Sequence, residues 1–330
     1  MLILSADQVR QALPMIQAIE AMKDAYEALS AGRAIVPLRT PLEIKESAGL
    51  NLFMPAYLSR LGVEGSLVVK VVGVYTENPG RGLPVIHASV LVSEAATGKP
   101  LALLEGASLT AIRTGAGSGA ATDILARPDC RVAAIIGAGV QAKTQLEAVC
   151  SVRPIERVWI YDHNPGKAER FIEEMAGRKP ISKYLLPAPD PRTAVREADI
   201  ICTATTSTSP VFDDADLKPG VHINGVGSFT AQMQEIPYET VVRAKVYVDS
   251  RPAALAEAGD LIQPIEAGGI AQDHIVGEIG EVILKRIDGR QSTEEITFFK
   301  SVGVAVQDAA AAGLALENAR RLGLGQQVDW

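Results

Sequence analysis

The sequence predicts an α/β protein: a doubly wound parallel sheet joined to an α+β region built on an antiparallel sheet. Three observations predict it. Residues 131 to about 250 alternate apolar runs of strand length with helical stretches, a pattern that gives a parallel sheet with helices on both faces. Residues 35–104 instead hold successive strand-like runs with turn-rich pieces and no helix between them, as antiparallel pairing requires. A chain of 330 residues is also long for one hydrophobic core, so two domains are expected.

In chain order, Ser5 followed three residues on by Gln8 makes a capping-box start to a short helix. Pro14 opens a longer one, with an apolar stripe of Ile16, Ile19, Met22, Tyr26 and Leu29, and Gly32 suits its stop. Strands are then expected at 35–44, 51–57, 66–74, 84–94 and 100–104, separated by turn sequences such as Asn78-Pro79-Gly80-Arg81-Gly82. Leu109 to Leu125 reads as a helix rich in small residues. Glycine costs a helix about 1 kcal/mol per position, so this run needs a reason: a bound cofactor, a close backbone or a tight helix contact.

Arg131 to Ile136 is an apolar strand that ends in Gly137, and Gly137-Ala138-Gly139-Val140-Gln141-Ala142 fits the form G-x-G-x-x-A. Gly137 permits a tight turn, Gly139 lets backbone approach a pyrophosphate, and Ala142 lets the next helix pack close. The phosphates would sit at that helix's N-terminus, where unpaired N–H groups and the dipole favour anions. A second strand ends in Asp162, twenty positions beyond Ala142, where an acid binds the adenosine ribose. Asp162 as the cap of a helix from Pro165 is the structural alternative. Further strands are expected at 184–186, 199–203, 221–224 and 245–248, with helices from Pro165 and Pro191. Beyond Arg251 the pattern weakens until a helix of small residues at 303–322, which is expected to pack back on the N-terminal region.

With 47% hydrophobic and 22% charged residues and a net charge of −7, the composition is that of an ordinary globular protein whose main partner is neither nucleic acid nor an anionic membrane. No apolar run approaches the ~18 residues of a membrane span, and a cytoplasmic location is the default expectation. Cys130, Cys150 and Cys202 have no paired spacing and read as buried thiols. The four histidines are scattered without a metal-ligand pattern, so no metal is expected. His222, ahead of the Asn224 turn, reads as structural.

Three basic residues stand where bases are unexpected. Lys70 interrupts Leu67-Val68-Val69-Lys70-Val71-Val72, Arg39 lies within Val36-Pro37-Leu38-Arg39-Thr40-Pro41, and Arg113 lies in the small-residue helix. Buried charges need partners. Each alone is read as well by an internal ion pair; together they point to a pocket for a carboxylate, which arginine binds in two-pronged fashion.

The sequence resembles the ornithine cyclodeaminase/mu-crystallin family over essentially its whole length. The resemblance is carried by Met54-Pro55-Ala56-Tyr57, Lys70, Leu109–Ala116, Ile136–Ala142, His222–Gly227, Glu278–Glu281 and Ser301–Asp308. It implies a Rossmann domain, set here at 121–302, inserted into a discontinuous substrate and dimerisation domain, set at 1–120 plus 303–330. It also implies hydride transfer at the α-carbon of an amino or imino acid. Arg39, Lys70 and Arg113 match the family's carboxylate and acid/base positions, with Lys70 and Arg113 catalytic, and His87 falls near the substrate. Thr114, Gly137, Gly139, Val140 and Gln141 fall to the cofactor, as do Asp162, Thr203, Thr205, Val226 and Gly227.

One departure bears on the reaction. Cyclodeaminases carry an aspartate shortly after the Asn-x-x-Gly turn, where this chain has Phe229, which neither takes a proton nor binds ammonium. Glu235, Asp249 or Glu278 would replace it only if the fold brought one near. The expectation is therefore an imine reductase on a small imino acid, such as a cyclic pyrroline- or piperideine-2-carboxylate. Ornithine cyclodeaminase, an alanine dehydrogenase-type enzyme and a cofactor-dependent small-ligand binder remain as alternatives. Asp162 favours NAD(H), since a carboxylate repels a 2′-phosphate, with NADP(H) as second choice.

Overall fold

The computed structural model describes residues 1–60 and 63–330. The chain forms two compact units, Met1–Arg113 with Val304–Trp330, and Thr114–Gly303. In order, the first unit holds β1 (Leu2–Leu4), α1 (Ala6–Ala12), α2 (Met15–Ser30), β2 (Ala34–Ile35), β3 (Thr40–Ile44), β4 (Gly49–Arg60), β5 (Val63–Tyr75), β6 (Ile86–Glu94) and β7 (Pro100–Glu105). Helix α3 (Gly106–Leu125) runs from this unit into the second. There follow β8 (Val132–Ile136), α4 (Val140–Val152), β9 (Arg157–Tyr161), α5 (Pro165–Met175), β10 (Leu185–Pro187), α6 (Pro191–Val195), β11 (Ile200–Thr203) and β12 (His222–Gly225). The second unit closes with α7 (Tyr238–Arg243), β13 (Lys245–Val248), α8 (Arg251–Glu257), α9 (Gly259–Glu266), β14 (Ile275–Glu278), α10 (Ile279–Ile283) and β15 (Thr297–Lys300). The chain then returns to the first unit with α11 (Ala305–Leu322) and β16 (Gln326–Gln327).

The first unit is built on a sheet of order β16-β1-β7-β6-β5-β4-β2, with β3 also on β4. All its pairs are antiparallel except β1 with β7. The single strand expected at 35–44 is two, because Pro37 has no N–H to donate to a ladder, and β2 and β3 pair separately with β4. Ser5 caps α1 in the expected capping box. On α2, Ile19, Met22 and Tyr26 are buried, but Ile16 is exposed, because the inward face runs instead through Ala18, Ala21 and Ala25. Helix α11 packs on α2, β4 and β5, and its small side chains from Ala309 to Ala312 are buried.

The second unit is a parallel sheet of order β10-β9-β8-β11-β12-β15-β13-β14, doubly wound, with the chain reversing direction across the sheet between β8 and β11. Ligands of such sheets bind at the carboxyl ends of the strands beside that reversal. Strand β15, Thr297-Phe298-Phe299-Lys300, is buried between β12 and β13, although its four residues give no clear signal in the sequence. The small-residue run of α3 has a packing reason: a methyl on Gly115 would lie 2.5 Å from the Thr144 carbonyl oxygen of α4. His222 is buried with its ring nitrogens 2.9 Å from Thr297 Oγ1 and 3.3 Å from Asn224 Oδ1, and burial lowers its pKa to about 3, so it is a neutral core residue. Cys130, Cys150 and Cys202 are free, buried thiols, and burial pushes each well above the ordinary range. Among the described residues, no helix is long and apolar enough to cross a membrane.

Candidate active site

In the second unit, the glycine loop leaves β8 and enters α4 at the carboxyl edge of the parallel sheet, beside a cavity of about 780 Å³. Gly137 has φ +97°, and a Cβ there would lie 2.6 Å from the Ala204 carbonyl oxygen, so the turn admits no side chain. At Gly139 the space a Cβ would occupy is open, and no side chain caps the start of α4. An open approach to uncapped N–H groups fits a pyrophosphate. Asp162 Oδ2 accepts from Ala138 N at 2.9 Å and Oδ1 from Asn164 N at 2.9 Å, which ties the loop to the end of β9. It does not cap α5, whose N-cap is Asn164. Each carboxylate oxygen retains a lone pair for a ribose hydroxyl.

Gly137, Gly139, Asp162 and Thr205 line this cavity. Thr203 stands behind it: the side chain is fully buried and its hydroxyl donates to Glu235 Oε2 at 2.8 Å. Glu235, outside the sequence-derived cofactor set, also accepts from Thr205 N (2.6 Å), Thr205 Oγ1 (2.8 Å) and Gly227 N (2.7 Å). It thus joins the loops that follow β11 and β12. Burial raises its pKa, opposed by Lys300, which pairs at 2.9 Å with Asp260. Val226 is half-buried and Val140 exposed, while Thr114 accepts from Gln145 Nε2 through its carbonyl at 3.3 Å. Gln141 keeps a buried Oε1 with no hydrogen-bond partner.

In the first unit, β5, α3 and α11 bring Lys70, Arg113 and Asp308 together. Lys70 Nζ lies 2.7 Å from Asp308 Oδ2, and Arg113 Nε donates to Asp308 Oδ1 at 3.1 Å. Arg113 Nη1 also donates to Gln307 Oε1 (2.8 Å), and Gln307 Nε2 donates to Tyr26 Oη (2.6 Å). All five side chains are buried. Burial and the charges of Arg113 and Arg39 lower the Lys70 pKa from 10.5 to about 8 against the opposing pull of Asp308. Arg39 is half-buried ahead of β3. The structure therefore shows the internal ion pair, with one acid serving two cations. Asp308 is outside the site residues read from the sequence.

The profile of the ornithine cyclodeaminase/mu-crystallin family matches residues 1–322. The chain belongs to that family. It is 43% identical, over the full length of both chains, to a Δ1-pyrroline-2-carboxylate reductase of Bacillus cereus. Among solved structures, the Δ1-pyrroline-2-carboxylate reductase of Thermococcus litoralis in complex with NADH and L-proline superposes with a TM-score of 0.94 at 44% identity, covering 99% of this chain and 100% of that one. An archaeal alanine dehydrogenase dimer with bound NAD gives a TM-score of 0.91 at 33% identity, covering 100% of this chain and 99% of that one.

Set against the cyclodeaminase branch of the family, none of the three acids named as replacements for one at Phe229 is spare. Glu235 is held as described. Asp249 accepts from Ser301 Oγ, Val302 N and Gly303 N at 2.7–3.1 Å, and Glu278 accepts from Arg251 N at 3.0 Å. Phe229 itself is 44% exposed. His87 is exposed on β6 opposite Gly73.

Proposed function

We propose that this protein is a cytoplasmic, homodimeric NAD(H)-dependent reductase of a small cyclic imino acid of the pyrroline- or piperideine-2-carboxylate type. NADP(H) is the weaker second cofactor. The observation that carries the reading is the buried cluster in which two cations share a single aspartate, leaving positive charge for a substrate carboxylate. The named activity of the B. cereus relative and the NADH and L-proline of the T. litoralis complex support the same substrate class. The archaeal alanine dehydrogenase dimer supports the homodimer, and the free cysteines support a reducing compartment. The discontinuous first unit is the proposed substrate domain and the second unit the proposed dinucleotide domain.

Nicotinamide, when bound, supplies the hydride for the C=N carbon. Arg113, with Arg39, holds the carboxylate and so fixes the orientation of the ring. Lys70 donates a proton to the ring nitrogen: its N–H bond breaks, the substrate N–H bond forms, and the electron pair stays on Nζ until solvent returns a proton. A lysine titrating near 8 suits that exchange at neutral pH.

A panel of cyclic imino acids, ornithine, and pyruvate with ammonia, each with NADH and NADPH, tests the proposal. NADH consumption with a cyclic imine and no added ammonia is expected. Ammonia release from ornithine without net NADH formation would instead establish a cyclodeaminase, and turnover of pyruvate with ammonia alone an alanine dehydrogenase. Silence across the panel would leave only a binder.

A further inference from the structure

We infer that Asp308 is the positioning residue of the basic cluster: it fixes Lys70 and Arg113 in place and cancels one of their two charges. The inference rests on the proposed imine reduction and assigns a role to a residue that sequence reading passed over.

The geometry is specific. Asp308 presents one oxygen to each cation, Oδ2 to Lys70 Nζ at 2.7 Å and Oδ1 to Arg113 Nε at 3.1 Å. Its own position is set by the first turn of α11, where the helix dipole favours negative charge. Gln307, one residue earlier, steadies the other side of Arg113: its Oε1 accepts from Arg113 Nη1 at 2.8 Å and from Val304 N at 3.0 Å. Two buried cations without a compensating acid would each cost several kcal/mol. With Asp308 the three buried groups sum to +1, and the half-buried Arg39 adds a further positive charge for a carboxylate.

The charged groups facing Lys70 are Asp308 on α11, Arg113 on α3 and Arg39 ahead of β3. Its cross-strand partners, Met54 on β4 and Val90 on β6, add none. Asp308 is thus the group among these that favours the protonated lysine, against burial and two guanidinium groups.

Asp308→Asn keeps the shape and removes the charge. Lys70 then loses its proton at lower pH, so the alkaline limb of the reductive pH–rate profile should move down by at least about one pH unit. The rate constant kcat at pH 8 should fall about tenfold or more, KM for the imino acid should change less, and the dissociation constant for NADH should stay at the wild-type value. Asp308→Glu retains the charge but displaces it by a methylene; its limb should stay in place while kcat falls severalfold. An unmoved limb in Asp308→Asn, or wild-type kcat and KM in Asp308→Glu, overturns the inference. If Asp308→Asn does not fold, Asp308→Glu decides.

Titration of Lys70 by NMR on ¹⁵Nζ-lysine-labelled protein, with its resonance assigned through Lys70→Met, separates this inference from the functional proposal. A pKa lowered in Asp308→Asn supports the role of Asp308 even if no imine is reduced. An unchanged pKa removes that role even if one is.

Discussion

Backbone makes the dinucleotide loop of the second unit, whereas side chains make the basic cluster of the first. The loop offers N–H donors at the start of α4, and what its sequence must supply is mainly the absence of side chains at Gly137 and Gly139. In the cluster, Lys70, Arg113 and Asp308 come from a strand and two helices spread across most of the chain. A site built from backbone is tolerant of side-chain chemistry and intolerant of steric change. One built from buried charges is the reverse, since each deletion strands a partner. The two therefore break differently, and each should fail in its own ligand.

The largest effect is expected at Arg113. Arg113→Ala removes the charge-assisted bond proposed to the substrate and leaves Asp308 with Lys70 alone. It should lower kcat/KM for the imino acid by about 1.5–3 kcal/mol, on the order of ten- to over a hundredfold. NADH affinity, measured by fluorescence titration, should stay at the wild-type value. A loss below about twofold, or an equal loss of NADH affinity, would contradict the division between the two sites.

Gly137→Ala comes next. Its Cβ would lie 2.6 Å from the Ala204 carbonyl at a φ of +97°, so the loop must shift. Strain of about 1–3 kcal/mol at such a position corresponds to NADH binding weakened about fivefold to over a hundredfold. The binding of a substrate analogue that reports on Lys70 and Arg113 should be spared. Wild-type NADH affinity in this variant would show that the loop is not shaped by its lack of side chain.

This contrast also explains what the sequence disclosed. The loop is contiguous, so strand, glycines and following helix are legible together. The alternation around it foretells the parallel sheet, and the run of strands before it the antiparallel one. Lys70 and Arg113 are legible because charge inside an apolar run is anomalous by itself. Asp308 is not, because an acid in the first turn of a helix is ordinary until the burial of α11 is known. Glu235 hides for a different reason. It lies in an irregular segment between β12 and α7, and only folding brings it to Thr203, Thr205 and Gly227. Strand β15 is too short, and follows too polar a stretch, for any period to show.

The smallest effect should fall on Asp162, where the two kinds of recognition meet. Its side chain is part of the loop's scaffold, through Ala138 N and Asn164 N, and also carries the charge expected to favour NAD(H) over NADP(H). Asp162→Asn removes the charge and keeps one of the two backbone contacts, its amide nitrogen replacing the acceptor of the other. If Asp162 acts through charge, the ratio of NADPH to NADH dissociation constants should narrow by about three- to tenfold. If it acts only as scaffold, both cofactors should weaken together and the ratio should not move. Lys167 and His163 line the same cavity and are placed to meet a 2′-phosphate once the charge of Asp162 is gone. The ratio therefore separates the charge of Asp162 from its part in the loop's scaffold.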